Sequence, residues 1–172
     1  VRAAVREQLR QGVDQIKIMV SGGVASPYDP LDSRQFSLAE IAAAVEEAEA
    51  FGRYTQAHAY TPDAITRAVS QGVRTIEHGN LIDEKSAKLM KAKGAYLVAN
   101  LVAYYAMKER AREFGMTSEM LAKNEMVIDG GLTLDEVQAF TAAGHPMIAL
   151  AQVWLSAKGL GGVGYIVTHD TS

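Results

Sequence analysis

Three side chains capable of chemistry lie near the ends of consecutive predicted strands. Lys17 lies inside the apolar run 16–20, His58 in "RYTQAHA" and His78 in "VRTIEHG". A lysine in a buried strand is costly unless it is paired, neutralised or chemically used. One chemistry that fits is a metal site, in which the lysine is deprotonated or converted by CO2 to an anionic carbamate. The other is a Schiff-base lysine that attacks a carbonyl, with the histidines as general acid and base.

The elements that must position these residues alternate between strand and helix. Strands are predicted to start near residues 14, 53, 74, 95 and 146, each followed by a helix, which indicates parallel βα units. The carboxyl ends of parallel strands form one face, so the three side chains are expected to lie together. An open doubly wound sheet and a (β/α)8 barrel both fit this alternation. A doubly wound sheet of the dinucleotide-binding type would carry a glycine-rich phosphate loop after its first strand. The stretch "SGGVAS" at this place does not match the GxGxxG pattern of that loop.

The fold class is therefore predicted to be α/β, as a partial TIM (β/α)8 barrel. Five strands are too few to close an eight-stranded barrel. The sequence also starts within an amphipathic helix and without Met, with Val1, Val5 and Leu9 on one stripe. We therefore expect a fragment of a longer protein.

Local signals predict where helices begin and end. Ser37 and Glu40 have the spacing of a capping box, and Thr61 followed by Pro62 is typical of a helix start. Strand alternation predicts that Glu77 points away from His78 and pairs with a helix residue. Tyr104 follows the fourth strand and is a candidate to line a substrate pocket, with packing at the rim of the barrel as the alternative.

Composition excludes several classes of partner. The chain has 172 residues, 48% of them hydrophobic and 22% charged, with a net charge of −3 and no cysteine. Without a basic run, nucleic acid and anionic membrane surfaces are poor partners. No disulfide framework or thiolate metal site can form. The cytoplasm is the favoured compartment, with the periplasm or secretion left open for a full-length parent.

Three stretches closely resemble the metal-dependent amidohydrolase superfamily. They are "DQIKIMVSGGVASPYDPLDSRQFS", "AHAYTPDAI" and "IEHGNLID", and they occur in the family's order. The most similar branch is that of the imidazolonepropionase-like and Xaa-Pro or Xaa-Arg dipeptidase-like enzymes, relatives of which hydrolyse amide bonds such as that of ochratoxin. The resemblance runs from residue 1 to about 150 and implies roughly strands 4 to 8 of the family's barrel.

The resemblance also implies a role for each candidate residue. Lys17 matches a carbamylated lysine that bridges two divalent metal ions, usually zinc. His58 and His78 match the two histidine ligands of one metal, and Tyr60 matches a tyrosine that contacts the substrate or the developing oxyanion. The implied reaction is hydrolysis of the C–N bond of a small amide or dipeptide substrate, in which a metal-bound hydroxide attacks the carbonyl carbon and the amine leaves.

The sequence departs from the family pattern at several places. The family's His-x-His on strand 1 has no counterpart and would lie upstream of Val1. The position of the strand-8 aspartate falls on Gln152, which is neutral and cannot act as a general base. Residues 1–152 are therefore predicted to form the partial barrel and 153–172 a divergent tail of unknown structure. In that tail, His169 and Asp170 are candidates to replace the missing groups.

Two hypotheses of a different class remain beside the hydrolase. One is a non-catalytic remnant that acts as a structural or self-associating domain. An incomplete barrel exposes a strand edge and apolar helix faces, and a homo-oligomer is therefore expected. The other is a Schiff-base lyase that uses Lys17.

Overall fold

A computed structural model describes residues 1–133, 135, 136, 139, 142, 149–153 and 163–167, the last two ranges by their backbone. The helices are α1 (Arg2–Arg10), α2 (Leu38–Ala50), α3 (Pro62–Ser70), α4 (Glu84–Lys93), α5 (Leu101–Glu109) and α6 (Ser118–Gly130). The strands are β1 (Gln15–Met19), β2 (Tyr54–Ala59), β3 (Thr75–His78), β4 (Tyr96–Val98), β5 (Ala149–Val153) and β6 (Val163–Val167). No described helix combines the length and hydrophobicity needed to cross a membrane.

The first four strands form one parallel sheet in the order β1-β2-β3-β4. Each strand is followed by a helix, so the predicted series of βα units is confirmed for these four strands. In β1, Ile16 and Ile18 are buried and belong to one core with Ile41, Ile65 and other apolar residues of α2 and α3. The helices therefore cover one face of the sheet, and the residues between the buried ones lie on the other face.

The predicted helix starts are confirmed by their capping contacts. The hydroxyl of Ser37 accepts from the backbone N–H of Glu40, whose carboxylate accepts from the backbone N–H of Ser37. The hydroxyl of Thr61 accepts from the backbone N–H of Ala64, and Pro62 is the first residue of α3. These contacts satisfy donors that the first turn of a helix leaves free, so each helix starts directly after its strand or loop.

The structure differs from the prediction at the fifth strand. Residues 149–153 form β5, which pairs antiparallel with β6 in a separate two-stranded sheet instead of continuing the parallel one. Only residues 154–162 separate the two strands in sequence, and a parallel crossover requires a dozen or so residues. The short connection therefore favours antiparallel pairing. Gln152 is paired with Gly164 in this sheet. His169 and Asp170 lie outside the described residues.

Candidate metal centre

His58 is buried at the carboxyl end of β2, and its side chain is fixed by the loop that follows β1. Its Nε2 atom lies 3.0 Å from the carbonyl oxygen of Gly22. A carbonyl can only accept, so Nε2 carries the hydrogen and the lone pair of the neutral ring is on Nδ1. Burial lowers the pKa of His58, the hydrogen bond to the Gly22 carbonyl opposes this, and the charge of Lys17 lowers it further. The site therefore holds a neutral imidazole with one nitrogen available as a ligand.

His78 reaches the same place through an unusual backbone conformation at the end of β3. Its φ is 75°, and its ring centroid lies 4.5 Å from that of His58. Its Nδ1 atom lies 2.7 Å from the hydroxyl oxygen of Tyr104. Burial, with smaller contributions from His58 and Lys17, lowers the pKa of His78 to about 3. A second neutral imidazole thus stands beside the first.

Two buried tyrosines complete this cluster. The Tyr60 ring stacks on His78 with centroids 4.9 Å apart, and the Tyr104 hydroxyl donates to the Tyr60 oxygen over 3.1 Å. Because Tyr104 directs its one hydrogen toward Tyr60, it accepts from Nδ1–H of His78, which leaves the His78 lone pair on Nε2. Burial raises the pKa of Tyr60 to about 12 and also raises that of Tyr104. Both phenols are neutral hydrogen-bonding groups.

Lys17 lies on the face of β1 that the helices do not cover. The prediction that it is buried is wrong, because Gln15, Lys17 and Met19 are exposed while Ile16 and Ile18 between them are buried. Met19 is in register with His58, and the Lys17 charge acts on both imidazoles. Lys17 therefore belongs to the same face of the sheet as His58, as predicted from the strand ends.

The position of Glu77 also differs from the prediction. It is in register with His58, so it lies on the same face as that imidazole, and its carboxylate accepts from the Thr75 hydroxyl instead of pairing with a helix residue. The left-handed backbone of His78 breaks the alternation, which is why Glu77 and His78 both face this side. Burial raises the pKa of Glu77, and the nearby Lys17 opposes that rise.

The donor set suits a divalent metal only in part. Within the described residues, no group of three His, Cys, Asp or Glu side chains is placed to hold a metal ion. Two neutral imidazoles with outward hydrogen bonds on their other nitrogens are typical zinc ligands. A further ligand from this sheet requires Lys17 in an anionic form. The residues present fit one half of a metal centre.

The sequence did not reveal the groups that hold this cluster in place. The Gly22 carbonyl binds His58, and the hydroxyl of Ser21 accepts from the backbone N–H of Tyr60. Lys123 on α6 contacts the same loop through its ammonium group. Lys123 lies within a helix, where a lysine side chain is usually exposed to solvent, so the sequence did not indicate that it is buried.

The parallel βα units place the two imidazoles at the carboxyl ends of adjacent strands, an arrangement of the α/β class. Residues 1–142 match the profile of the Amidohydrolase family, and the chain belongs to that family. Ochratoxinase from Aspergillus niger is 37% identical over 132 residues, which are 77% of this chain and 27% of the enzyme.

Two solved structures extend the comparison. A prolidase in complex with N-methylphosphonate-L-proline is 51% identical with a TM-score of 0.80, over 86% of this chain and 36% of the prolidase. A Xaa-Pro dipeptidase with bound methionine is 27% identical with a TM-score of 0.73, over 86% of this chain and 36% of the dipeptidase. The chain thus spans only about a third of the length of these solved relatives.

Proposed function

We propose that this chain carries part of the metal centre of a hydrolase that cleaves amide bonds in small molecules. The observation that carries the proposal is the pair of neutral imidazoles 4.5 Å apart at the ends of adjacent parallel strands. The strands β1 to β4 then correspond to roughly strands 4 to 7 of a (β/α)8 barrel, whereas residues 149–153 do not take the place of strand 8 in this sheet. The four-stranded parallel sheet and the family membership support this assignment.

In this proposal His58 and His78 are ligands of one divalent metal, through Nδ1 and Nε2 respectively. Lys17, in a carbamylated form, would be a ligand shared by that metal and a second one, with zinc as the expected ion. A bound metal of this kind supplies a water of lowered pKa and polarises the scissile carbonyl. Tyr60 donates a hydrogen bond to the substrate carbonyl oxygen as it gains negative charge. Its raised pKa keeps the phenol protonated for that role.

The proposed substrates are dipeptides and related small amides. A prolidase, a Xaa-Pro dipeptidase and ochratoxinase are among the proteins to which the chain is similar. Tyr104 was predicted to bind substrate, but its side chain is 2% exposed and its hydroxyl contacts His78 and Tyr60. We therefore assign Tyr104 to holding the His78 ring, while Tyr60 remains the proposed substrate contact.

Metal binding by the purified chain tests the proposal. Elemental analysis after incubation with zinc and bicarbonate should find metal, and His58→Ala, His78→Ala and Lys17→Ala should each lower the content. Exposed Lys88 pairs with Glu84 on α4, so Lys88→Ala is the matched control and should leave the metal content unchanged. Carbon-13 bicarbonate should give a carbamate signal that Lys17→Arg abolishes.

Two results would contradict the proposal. If the wild type and the double variant His58→Ala/His78→Ala bind the same amount of zinc, the two imidazoles are not the ligands. A borohydride-trapped adduct at Lys17 would instead support the Schiff-base hypothesis. Hydrolysis of a Xaa-Pro dipeptide by the metal-loaded chain would establish the substrate class.

A second candidate function is self-association, favoured by the open edge of the sheet. Among the strands that the structure describes, β1 is an edge strand of the parallel sheet, and its exposed residues include Met19, which is 44% exposed. A groove of about 890 Å³ runs beside this strand and is lined by residues of α1, Gln35 and Phe36. Unpaired strand edges promote pairing with other chains. Light scattering should show a homo-oligomer that Met19→Lys weakens, and a monomer at all concentrations would exclude this candidate.

A further inference from the structure

Lys123 on α6 is a buried lysine that the proposed chemistry does not use. The residue is 7% exposed, and its Nζ donates to the carbonyl oxygens of Gly23 at 3.1 Å, Asp29 at 2.9 Å and Ser26. An ammonium group has three hydrogens, so three carbonyls match its donors. Lys123 is therefore fully bonded to backbone of a single loop.

That loop connects β1 to α2 and contains little regular structure. Its sequence "SGGVASPYDPLDSRQF" is rich in glycine and proline, so many of its carbonyls have no strand or helix partner. Buried carbonyls without donors destabilise a fold. The ammonium group of Lys123 brings donors to three of them, from a residue about 100 positions away in the chain.

The same loop also holds the candidate metal ligand His58. The Gly22 carbonyl accepts from Nε2 of His58, and the next carbonyl in the chain, that of Gly23, accepts from Lys123. On the other side of Gly22, the Ser21 hydroxyl accepts from the backbone N–H of Tyr60. A shift of the loop would therefore move the acceptor that decides which nitrogen of His58 carries the hydrogen.

We propose that Lys123 is a positioning residue, whose ammonium group holds the β1–α2 loop over His58 so that the Gly22 carbonyl selects the Nε2–H tautomer. The Nδ1 lone pair of His58 is then kept free for a ligand. Lys123 itself contacts no reacting atom. Its importance for metal binding rests on the proposed function, but its effect on the His58 tautomer does not.

The tautomer of His58 in the metal-free chain tests the proposal directly. Long-range nitrogen-15 spectra distinguish the two tautomers, and His58→Gln assigns the His58 signals among the four histidines. The wild type should show the Nε2–H form, and Lys123→Ala should show a mixture of both forms. Lys108 is exposed on the neighbouring helix, so Lys108→Ala is the matched control and should retain the wild-type spectrum.

Chemical rescue separates positioning from a general loss of packing. Lys123→Ala removes three methylene groups and the ammonium, so propylammonium replaces the missing atoms. Propylammonium should restore the Nε2–H form and raise the unfolding temperature, whereas tetramethylammonium should not, because it has the same charge but no N–H donor. If Lys123→Ala folds only in propylammonium, recovery of the Nε2–H form in the refolded variant supports the proposal, and a mixture of tautomers there overturns it.

Other results of these experiments would overturn the proposal. An unchanged tautomer in folded Lys123→Ala overturns the proposal, as does equal rescue, or no rescue, by the two ammonium ions. A zinc titration adds the link to the metal centre, where loss of an outer contact weakens metal affinity by about 10- to 100-fold. If the wild type binds no zinc, the proposed function fails while the tautomer result still decides the role of Lys123.

Discussion

The Nδ1 atom of His78 lies 2.7 Å from the hydroxyl oxygen of Tyr104, a residue 26 positions further along the chain. Tyr104 belongs to α5, and its hydroxyl in turn donates to Tyr60. This chain of hydrogen bonds fixes the His78 ring in one orientation and one tautomer. The hydrogen-bond partner of a metal-ligating imidazole sets both properties in metal sites generally.

Replacing Tyr104 with phenylalanine should therefore weaken metal binding without emptying the core. Tyr104→Phe keeps the ring and removes only the hydroxyl, which accepts from His78 and donates to Tyr60, so zinc affinity should fall about 10-fold or more. Isothermal titration with zinc measures the change. Tyr105 is 56% exposed, so Tyr105→Phe is the matched control. Equal affinities for Tyr104→Phe and Tyr105→Phe would show that the contact does not support the ligand.

The sequence predicted the parts of this fold that depend on local signals. The starts of α2 and α3, the four βα units and the placement of Lys17, His58 and His78 near the ends of neighbouring strands all follow from short-range patterns. Parallel strands bring their ends to one face, so the neighbourhood of the two imidazoles was predictable as well.

The remaining features depend on contacts between distant residues. The left-handed backbone of His78 places Glu77 and His78 on one side, which regular alternation cannot predict. The exposure of Lys17 depends on which layers cover the sheet, and the role of Lys123 depends on a loop about 100 residues away. Tertiary contacts of this kind cannot be predicted from local sequence patterns.

The ion pair between α1 and α2 predicts a specific acid dependence of stability. Hydrogen bonds from Arg6 and Arg2 lower the pKa of Glu47 from 4.5 to about 2. The folded protein thus binds fewer protons at Glu47 than the unfolded chain, and this stabilisation is present above pH 4.5 and lost toward pH 2. The unfolding temperature of Glu47→Gln should therefore fall less on acidification than that of the wild type.

A neighbouring carboxylate controls for general effects of acid. Glu46 is exposed and contacts Arg2 alone, whereas Glu47 is buried and contacts both arginines. Glu46→Gln should therefore follow the wild-type curve when unfolding temperatures are measured by circular dichroism between pH 7 and pH 2.5. Parallel curves for Glu47→Gln and the wild type would exclude Glu47 as the titrating group.

Two glycines with similar backbone angles allow the effect of backbone strain to be measured apart from that of close packing beside the candidate metal centre. Gly79 has φ of 57° and Gly94 has φ of 65°, so alanine is strained at both positions. A Cβ at Gly79 would lie 2.2 Å from Cδ1 of the buried Leu97, whereas at Gly94 no atom lies within 4 Å. Gly94→Ala should therefore cost about 1–2 kcal/mol from strain alone.

Gly79→Ala should cost the same strain and about 1–3 kcal/mol more, because the added methyl group overpacks the core. Urea denaturation measures both variants, with equal slopes confirming that the same surface unfolds. Since Gly79 follows His78 directly, its variant should also lose zinc affinity, while Gly94→Ala at the end of α4 should not. Equal losses of stability in the two variants would mean that Leu97 moves aside at little cost, and that the close packing does not hold His78 in place.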